Sequence, residues 1–246
     1  MTSSRLIKIV VLADFMCPYS YFSNKALLDA IAECSHFPLT FNVEYQPYRL
    51  CSTLPEDFPV DRELYFKQKY GDKYEPAQEV IQRMAQALGV TIVANGQLSQ
   101  STRAHRLSVK AYRVGGQDMQ QAVLQAYFKV YFHEGKDIGN MDILGDIAQG
   151  AGLMSKAETI DFLRSDELKD EVEATVTKAR RAGIKGSPVF IIDDRFKLDG
   201  VQTKDTFVQI FKRLGKCSGI MAAGSPCSET SSDGTISPPG RTAIVV

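Results

Sequence analysis

This 246-residue sequence has no Cys-x-x-Cys pair, no excess of charge of either sign and no long apolar run near its start. Its five cysteines, Cys17, Cys34, Cys51, Cys217 and Cys227, are an odd, scattered set that fits neither a zinc ribbon nor a stapled secreted scaffold. No metal site is expected, and each thiol must be judged separately. Lys and Arg total 29, and so do Asp and Glu, so no global cationic field attracts a phosphate backbone and nucleic acid is not an expected partner. The first apolar stretch, Ile9 to Ala13 between Lys8 and Asp14, is too short for a signal-peptide core or a bilayer span. A cytoplasmic setting without a membrane partner is expected. What the sequence does contain, 44% hydrophobic and 24% charged residues, suits a soluble globular chain.

Residues 5–13 form a β-branched run with one interior charge, the pattern of a strand buried on both faces. From Tyr21 to His36 the apolar positions Phe22, Ala26, Leu27, Ala30 and Ile31 recur at helical spacing. Leu39, Phe41, Val43 and Tyr45 then alternate with polar residues as a second strand. From about Asp61 to Arg181 the pattern is helical almost throughout, broken at Gly115-Gly116, Gly135 and Gly150 to Gly152, with Asn140, Ser155 and Ser165 as N-caps. The sheet resumes over Pro188 to Asp193, turns at Asp193-Asp194, continues over Phe196 to Leu198, and is followed by a last helix from Thr203 to Leu214. The expected organisation is an α/β domain from residues 1–60 and 183–214, a helical insertion over 61–182 and a tail over 215–246. That tail is rich in Gly, Ser and Pro and has no apolar period, so disorder is expected there.

Two motifs carry chemistry. Asp14-Phe-Met-Cys17-Pro18-Tyr19-Ser20 follows the first strand and opens the first helix, with Pro18 suited to its first turn. Cys17 would then face unsatisfied helix N–H groups, which lower a thiol's pKa and make it a nucleophile, with Ser20 able to donate to the sulfur anion. A buried inert cysteine is the competing reading. The second motif, Gly186-Ser187-Pro188, puts a proline at the start of a strand, where a cis peptide can occur. Such a bond would turn the backbone of Ser187 outward to pair with an extended thiol peptide such as glutathione.

With these motifs, the sequence resembles the DsbA family of thioredoxin-fold proteins, in the branch that includes FrnE-type oxidoreductases, kappa-class glutathione transferases and 2-hydroxychromene-2-carboxylate isomerases. The likeness spans roughly residues 5–214 and includes Gln46-Pro-Tyr-Arg-Leu50, Ser101-Thr-Arg-Ala-His-Arg-Leu107, the run Ala126 to Ile138, and Gly200-Val-Gln202. It implies a thioredoxin-like fold with a large α-helical insertion between the βαβ and ββα halves. It also implies Cys17 as the nucleophilic or glutathione-activating position beside Ser20, Pro18 and Tyr19 in its motif, Pro188 as the cis-proline, and Ser187 as the residue pairing with the thiol substrate. Gln202 matches the region that receives the γ-glutamyl carboxylate, in keeping with the affinity of helix N-termini for anions. His105 and Arg106 match a motif of the insertion, where a packing histidine is expected.

Two departures matter. Oxidases of the family usually carry a second cysteine where this sequence has Ser20, and the isomerase and transferase branches usually carry serine where it has Cys17. Family members also tend to place Asn where Cys51 stands, so Cys51 would be a second active-site thiol if its turn lies beside Cys17. Cys34 is excluded as a partner of Cys17: 17 residues along one helix at about 1.5 Å each is roughly 25 Å, against the roughly 7 Å between α-carbons that a disulfide allows.

Three functions follow as expectations. The first is a DsbA-like oxidoreductase acting on thiol, disulfide or glutathione-linked small-molecule substrates through Cys17 alone. The second is a glutathione-dependent isomerase or transferase of a small electrophile, and the third is a non-enzymatic thiol-peptide binding module. Glutathione is the expected co-substrate and no metal is expected; a homodimer is left open.

Overall fold

The structure, a computed structural model, describes residues 4–221, with side chains to residue 216. In chain order the elements are β1 (Arg5–Ala13), α1 (Pro18–Glu33), β2 (Leu39–Pro47), β3 (Val60–Asp61), α2 (Arg62–Tyr70), α3 (Tyr74–Ala87), β4 (Gln97–Leu98), α4 (Thr102–Phe128), a π-helical segment (Lys129–His133), α5 (Met141–Gly150), α6 (Lys156–Arg164), α7 (Lys169–Arg181), β5 (Val189–Ile192), β6 (Phe196–Asp199) and α8 (Lys204–Met221). One sheet has the order β2-β1-β5-β6, with β1 parallel to β2, antiparallel to β5, and β5 antiparallel to β6. This is a thioredoxin-like α/β fold whose βαβ and ββα halves are separated in sequence by a long, mostly helical insertion.

The strand directions assemble one functional end. Ala13 closes β1 opposite Pro47 of parallel β2, while Leu12 sits opposite Val189 at the start of antiparallel β5. The segments after β1, after β2 and before β5 therefore emerge together, although they are far apart in sequence. The hairpin between β5 and β6 turns at Asp193 and Asp194, both left-handed (φ 55° and 53°), as a tight two-residue turn requires.

β2 is an edge strand, and the insertion covers it. Gln117 and Gln120 of α4 accept from the N–H groups of Val43 and Tyr45 at 2.9 and 2.8 Å, and the Gln120 amide donates to the Tyr45 carbonyl at 2.8 Å. Ladder groups that would be a template for another chain are satisfied internally. On the other side, α1 packs against α8, and Phe211 of α8 meets Phe41 of β2 with ring centroids 4.6 Å apart.

Several expectations for the insertion agree with the structure. Asn140 caps α5, Ser155 forms a capping box with Glu158, and α4 breaks at Gly115-Gly116, where Gly116 (φ 63°, ψ −154°) needs a residue without Cβ. The insertion is helical almost throughout, as expected, apart from β3 and β4, which form a short antiparallel pair. Two expectations do not agree with the structure. Ser165 ends α6 rather than starting a helix, because α7 begins only at Lys169 after a left-handed Leu168. The last helix does not stop at Leu214 but continues to Met221, so residues 215–221 are not a disordered tail. Leu214 is buried and Gly215 lies against the ring of Phe37, so a docked helix extends through glycine and serine that score as breakers in isolation. The rest of the expected tail, 222–246, lies outside the described residues. No helix among the described residues is long and apolar enough to cross a membrane.

Candidate active site

Cys17 is the N-cap of α1 and Pro18 its first residue, so the helix begins where the motif places it. Asp14, fully buried at the end of β1, organises the approach. Its N–H donates to Ser187 Oγ (2.8 Å), its Oδ1 accepts from Met16 N (3.2 Å), and its Oδ2 accepts from Leu50 N (2.8 Å). One residue, through its backbone N–H and its carboxylate, thus joins all three converging segments. Ser20 Oγ pairs with Ser187 Oγ at 2.8 Å, and the Cys17 thiol donates to the Ser187 carbonyl at 3.4 Å.

The Ser187–Pro188 peptide is cis. The Ser187 carbonyl is directed at Cys17 rather than left free, while its N–H makes no hydrogen bond among the described residues. Tyr19 packs half-buried on Phe22 beside the thiol. Gln202 lies just before α8, as expected; its N–H donates to Ser23 Oγ, and its amide nitrogen donates to the carbonyls of Asp199 and Gly200. Both amide protons hold the turn before α8, so a ligand carboxylate could use them only by breaking those bonds.

The expected low thiol pKa is not found. Burial pushes Cys17 up to about 11, with the Asp14 carboxylate adding to the rise, against the N–H groups of Ser20 and Tyr19 and the Ser20 hydroxyl, which favour the anion. A helix terminus is worth about 1 kcal/mol, less than the cost of charging a thiol out of water. Cys17 is therefore a protonated hydrogen-bond donor at neutral pH. Burial raises Asp14 as well, against the N–H groups of Leu50 and Met16.

Asp14→Asn tests this balance. Removing the carboxylate charge should lower the Cys17 pKa and so speed its alkylation by iodoacetamide, by roughly tenfold at most, between pH 8 and 10. The new amide N–H would face a backbone donor at Met16 or Leu50, so the variant should also lose about 1–3 kcal/mol of stability. An unchanged alkylation profile would mean that Asp14 acts on backbone geometry alone.

His105 is fully buried, its ring 4.5 Å from that of Phe15 and its Nε2 3.9 Å from Asp14 Oδ1. Burial, with the Arg49 charge, lowers it to about 3, so it packs as a neutral ring, as the sequence suggested. Cys34 caps the far end of α1, in line with the distance arithmetic.

Cys17 lines a cavity, partly open to solvent, that the insertion closes. Met16, Pro18 and Leu50 line it from the sheet end; Phe66 and Tyr70 of α2, Ile81 of α3, Ile92 and Val93 of the following loop, and Tyr131 and Phe132 of the π-helical segment form the opposite wall. Cys51 lines the same cavity, and its Sγ accepts from Lys69 Nζ at 3.3 Å. Arg62, unnoticed in the sequence, anchors this wall through the carbonyls of Ala94 (3.1 Å), Tyr131 (2.8 Å), Val93 (2.7 Å) and Asn95. The Tyr131 hydroxyl is buried and unpaired among the described residues. Nothing in the local pattern of Arg62 or Tyr131 distinguishes them from other residues of the insertion. Among the described residues no group of three or more His, Cys, Asp or Glu is placed to hold a metal ion.

Residues 8–212 match the DSBA-like thioredoxin domain family, and the chain belongs to it. No curated protein gives a significant match. Among solved structures, a probable DsbA oxidoreductase from Streptomyces coelicolor is similar at 20% identity and a TM-score of 0.71, covering 91% of this chain and 93% of its own. A 2-hydroxychromene-2-carboxylate isomerase is similar at 19% identity and a TM-score of 0.60, covering 90% and 100%. The cytosolic disulfide reductase DsbM from Pseudomonas aeruginosa, solved with glutathione, is similar at 16% identity and a TM-score of 0.56, covering 88% and 99%. At these identities the likenesses establish the shared fold.

Proposed function

We propose that the protein is a glutathione-linked thiol enzyme acting on a small, largely apolar molecule, with Cys17 as the thiol that attacks or activates. The observation that carries this reading is that Cys17 opens onto a mainly apolar cavity closed by the helical insertion, the setting of a small-molecule site. Glutathione fits the other side of the thiol. The unpaired N–H of Ser187 offers a backbone donor to an extended thiol peptide, and the Ser20 hydroxyl and the start of α1 favour a sulfur anion. The solution of DsbM with glutathione, on the same fold, supports the assignment. The setting expected for such chemistry is the cytoplasm.

Within this reading Cys17 has two roles to choose between. As a nucleophile it would attack a disulfide and form a mixed disulfide. As a protonated donor it would hold glutathione's own thiolate for attack on an electrophile, which is isomerase or transferase chemistry. The thiol's elevated pKa and its donation to Ser187 O suit the second role, and a second thiol, Cys51, on the same cavity suits the first. Incubating the protein with oxidised glutathione, and separately with reduced glutathione and 1-chloro-2,4-dinitrobenzene, decides between them. A glutathione adduct on Cys17, or a protein disulfide formed through it, lost in Cys17→Ser, supports the first role, and conjugation retained in Cys17→Ser supports the second. Absence of adduct, disulfide and conjugation alike would overturn the reading and leave a thiol-peptide binding module.

A further inference from the structure

Cys51 is the one described thiol outside the Cys17 motif that reaches the cavity, and it stands apart from Cys34 in having a cation at its sulfur. The loop bearing it leaves β2 beside the loop bearing Cys17, because β1 and β2 run parallel and end together at Ala13 and Pro47. The backbone bond from Tyr48 N to Ala13 O (3.1 Å) and the bond from Leu50 N to Asp14 Oδ2 fasten the two loops to each other. Lys69, on the last turn of α2, extends its ammonium to the Cys51 sulfur. The Tyr65 hydroxyl, one helical turn earlier, also borders that sulfur. Burial and the Asp14 carboxylate raise the Cys51 thiol overall, and the ammonium hydrogen-bonded to its sulfur works against them, favouring the thiolate.

From this juxtaposition of Cys17 and Cys51 on one cavity, with Lys69 at the second sulfur, we infer that Cys51 is a resolving thiol for Cys17. The inference rests on the proposed mixed-disulfide role of Cys17. In the first step the Cys17 sulfur attacks glutathione disulfide, forming a bond to one glutathione sulfur while the other leaves as a thiolate. In the second step Cys51 gives up its proton beside Lys69 and its sulfur attacks the Cys17 sulfur of the mixed disulfide. The Cys17–Cys51 bond forms, the Cys17–glutathione bond breaks, and the second glutathione leaves as a thiolate. The two leaving thiolates take up the two protons the cysteines lose. Glutathione disulfide is reduced to two glutathiones, and the two protein thiols are oxidised to one disulfide. The sequence lacks a Cys-x-x-Cys pair, and this arrangement would supply the second thiol from a neighbouring loop.

The test treats the full chain with glutathione disulfide and follows intact mass and linked peptides. The wild type should lose two hydrogens and yield a Cys17–Cys51 peptide, whereas Cys51→Ser should stop with one glutathione on Cys17. Lys69→Met should reach the same disulfide roughly tenfold more slowly near neutral pH, the difference shrinking as pH rises and both thiols ionise freely. A stable Cys17–glutathione adduct in the wild type, or a link from Cys17 to Cys217 or Cys227, would overturn the inference while leaving the mixed-disulfide role intact. Absence of a Cys17 adduct in Cys51→Ser would overturn both together. Equal rates for wild type and Lys69→Met would remove the cation from the argument.

Discussion

Between pH 6.5 and about pH 4, His105 should cost the protein about 1.4 kcal/mol of stability per pH unit. The unfolded imidazole titrates near 6.5, whereas burial, with Arg49 nearby, holds the folded one near 3. Within that window the unfolded chain binds a proton that the native state does not, so stability is complete above 6.5 and falls as pH falls. Asp14 contributes with the opposite sign. Burial holds its folded pKa above the ordinary carboxylate value, so across its own window the native state binds more protons and the effect favours folding as pH drops. Comparing the wild type with His105→Gln separates the two, because the variant keeps Asp14 but cannot titrate at 105. Urea midpoints between pH 4 and 8 should fall on the acid side for the wild type and stay flatter for the variant. Parallel profiles would show that His105 gains a proton inside the fold, as an ion pair with Asp14 at 3.9 Å would allow.

Arg106→Met should destabilise the protein by about 3–5 kcal/mol, a loss of roughly 10 °C in melting temperature for a chain of this size. Arg106 is buried on α4, and its guanidinium donates to the carbonyls of Glu167 (2.8 Å), Leu163 (3.0 Å), Phe162 (2.9 Å) and Ser165 (2.6 Å). These are the orphaned acceptors at the end of α6 and in the turn to α7, a turn that Ser165 terminates without starting the next helix. Methionine preserves the aliphatic packing and the contact with Phe162 but leaves the carbonyls without their donor. Arg106→Lys should restore only part of the loss, since one ammonium cannot span four acceptors arranged around a planar fork. A melting temperature within two degrees of wild type would mean that water replaces the guanidinium and that the α6–α7 turn is held by other contacts.

Local pattern alone was enough to place β1, α1, β2 and the β5–β6 hairpin, because a strand or helix with one buried face writes its period into consecutive residues. Pro18 and Cys17 marked the start of α1 for the same reason: a helix N-terminus has local requirements. The resemblance supplied the connection between the two halves, which no local period contains. Cys34 could be separated from Cys17 by helix rise alone.

Tertiary structure decided the quantities that depend on distant neighbours. Helix position predicted an acidic Cys17, and burial made it a protonated thiol, because the desolvation cost depends on the whole shell around the sulfur rather than on the residues beside it. Gln202 sits before a helix, as expected, but its amide protons were committed to Asp199 and Gly200 by a turn whose geometry emerges only when β6 and α8 are docked. Arg62 and Asp14 became organising residues because parallel β1 and β2 and antiparallel β5 bring their ends together, and α2 and α3 fold back over that end. The sequence determined which segments would be strands and helices and where the reactive sulfur would stand. Which atoms surround that sulfur, and therefore its charge, was set by chain segments more than a hundred residues apart meeting at one end of the sheet.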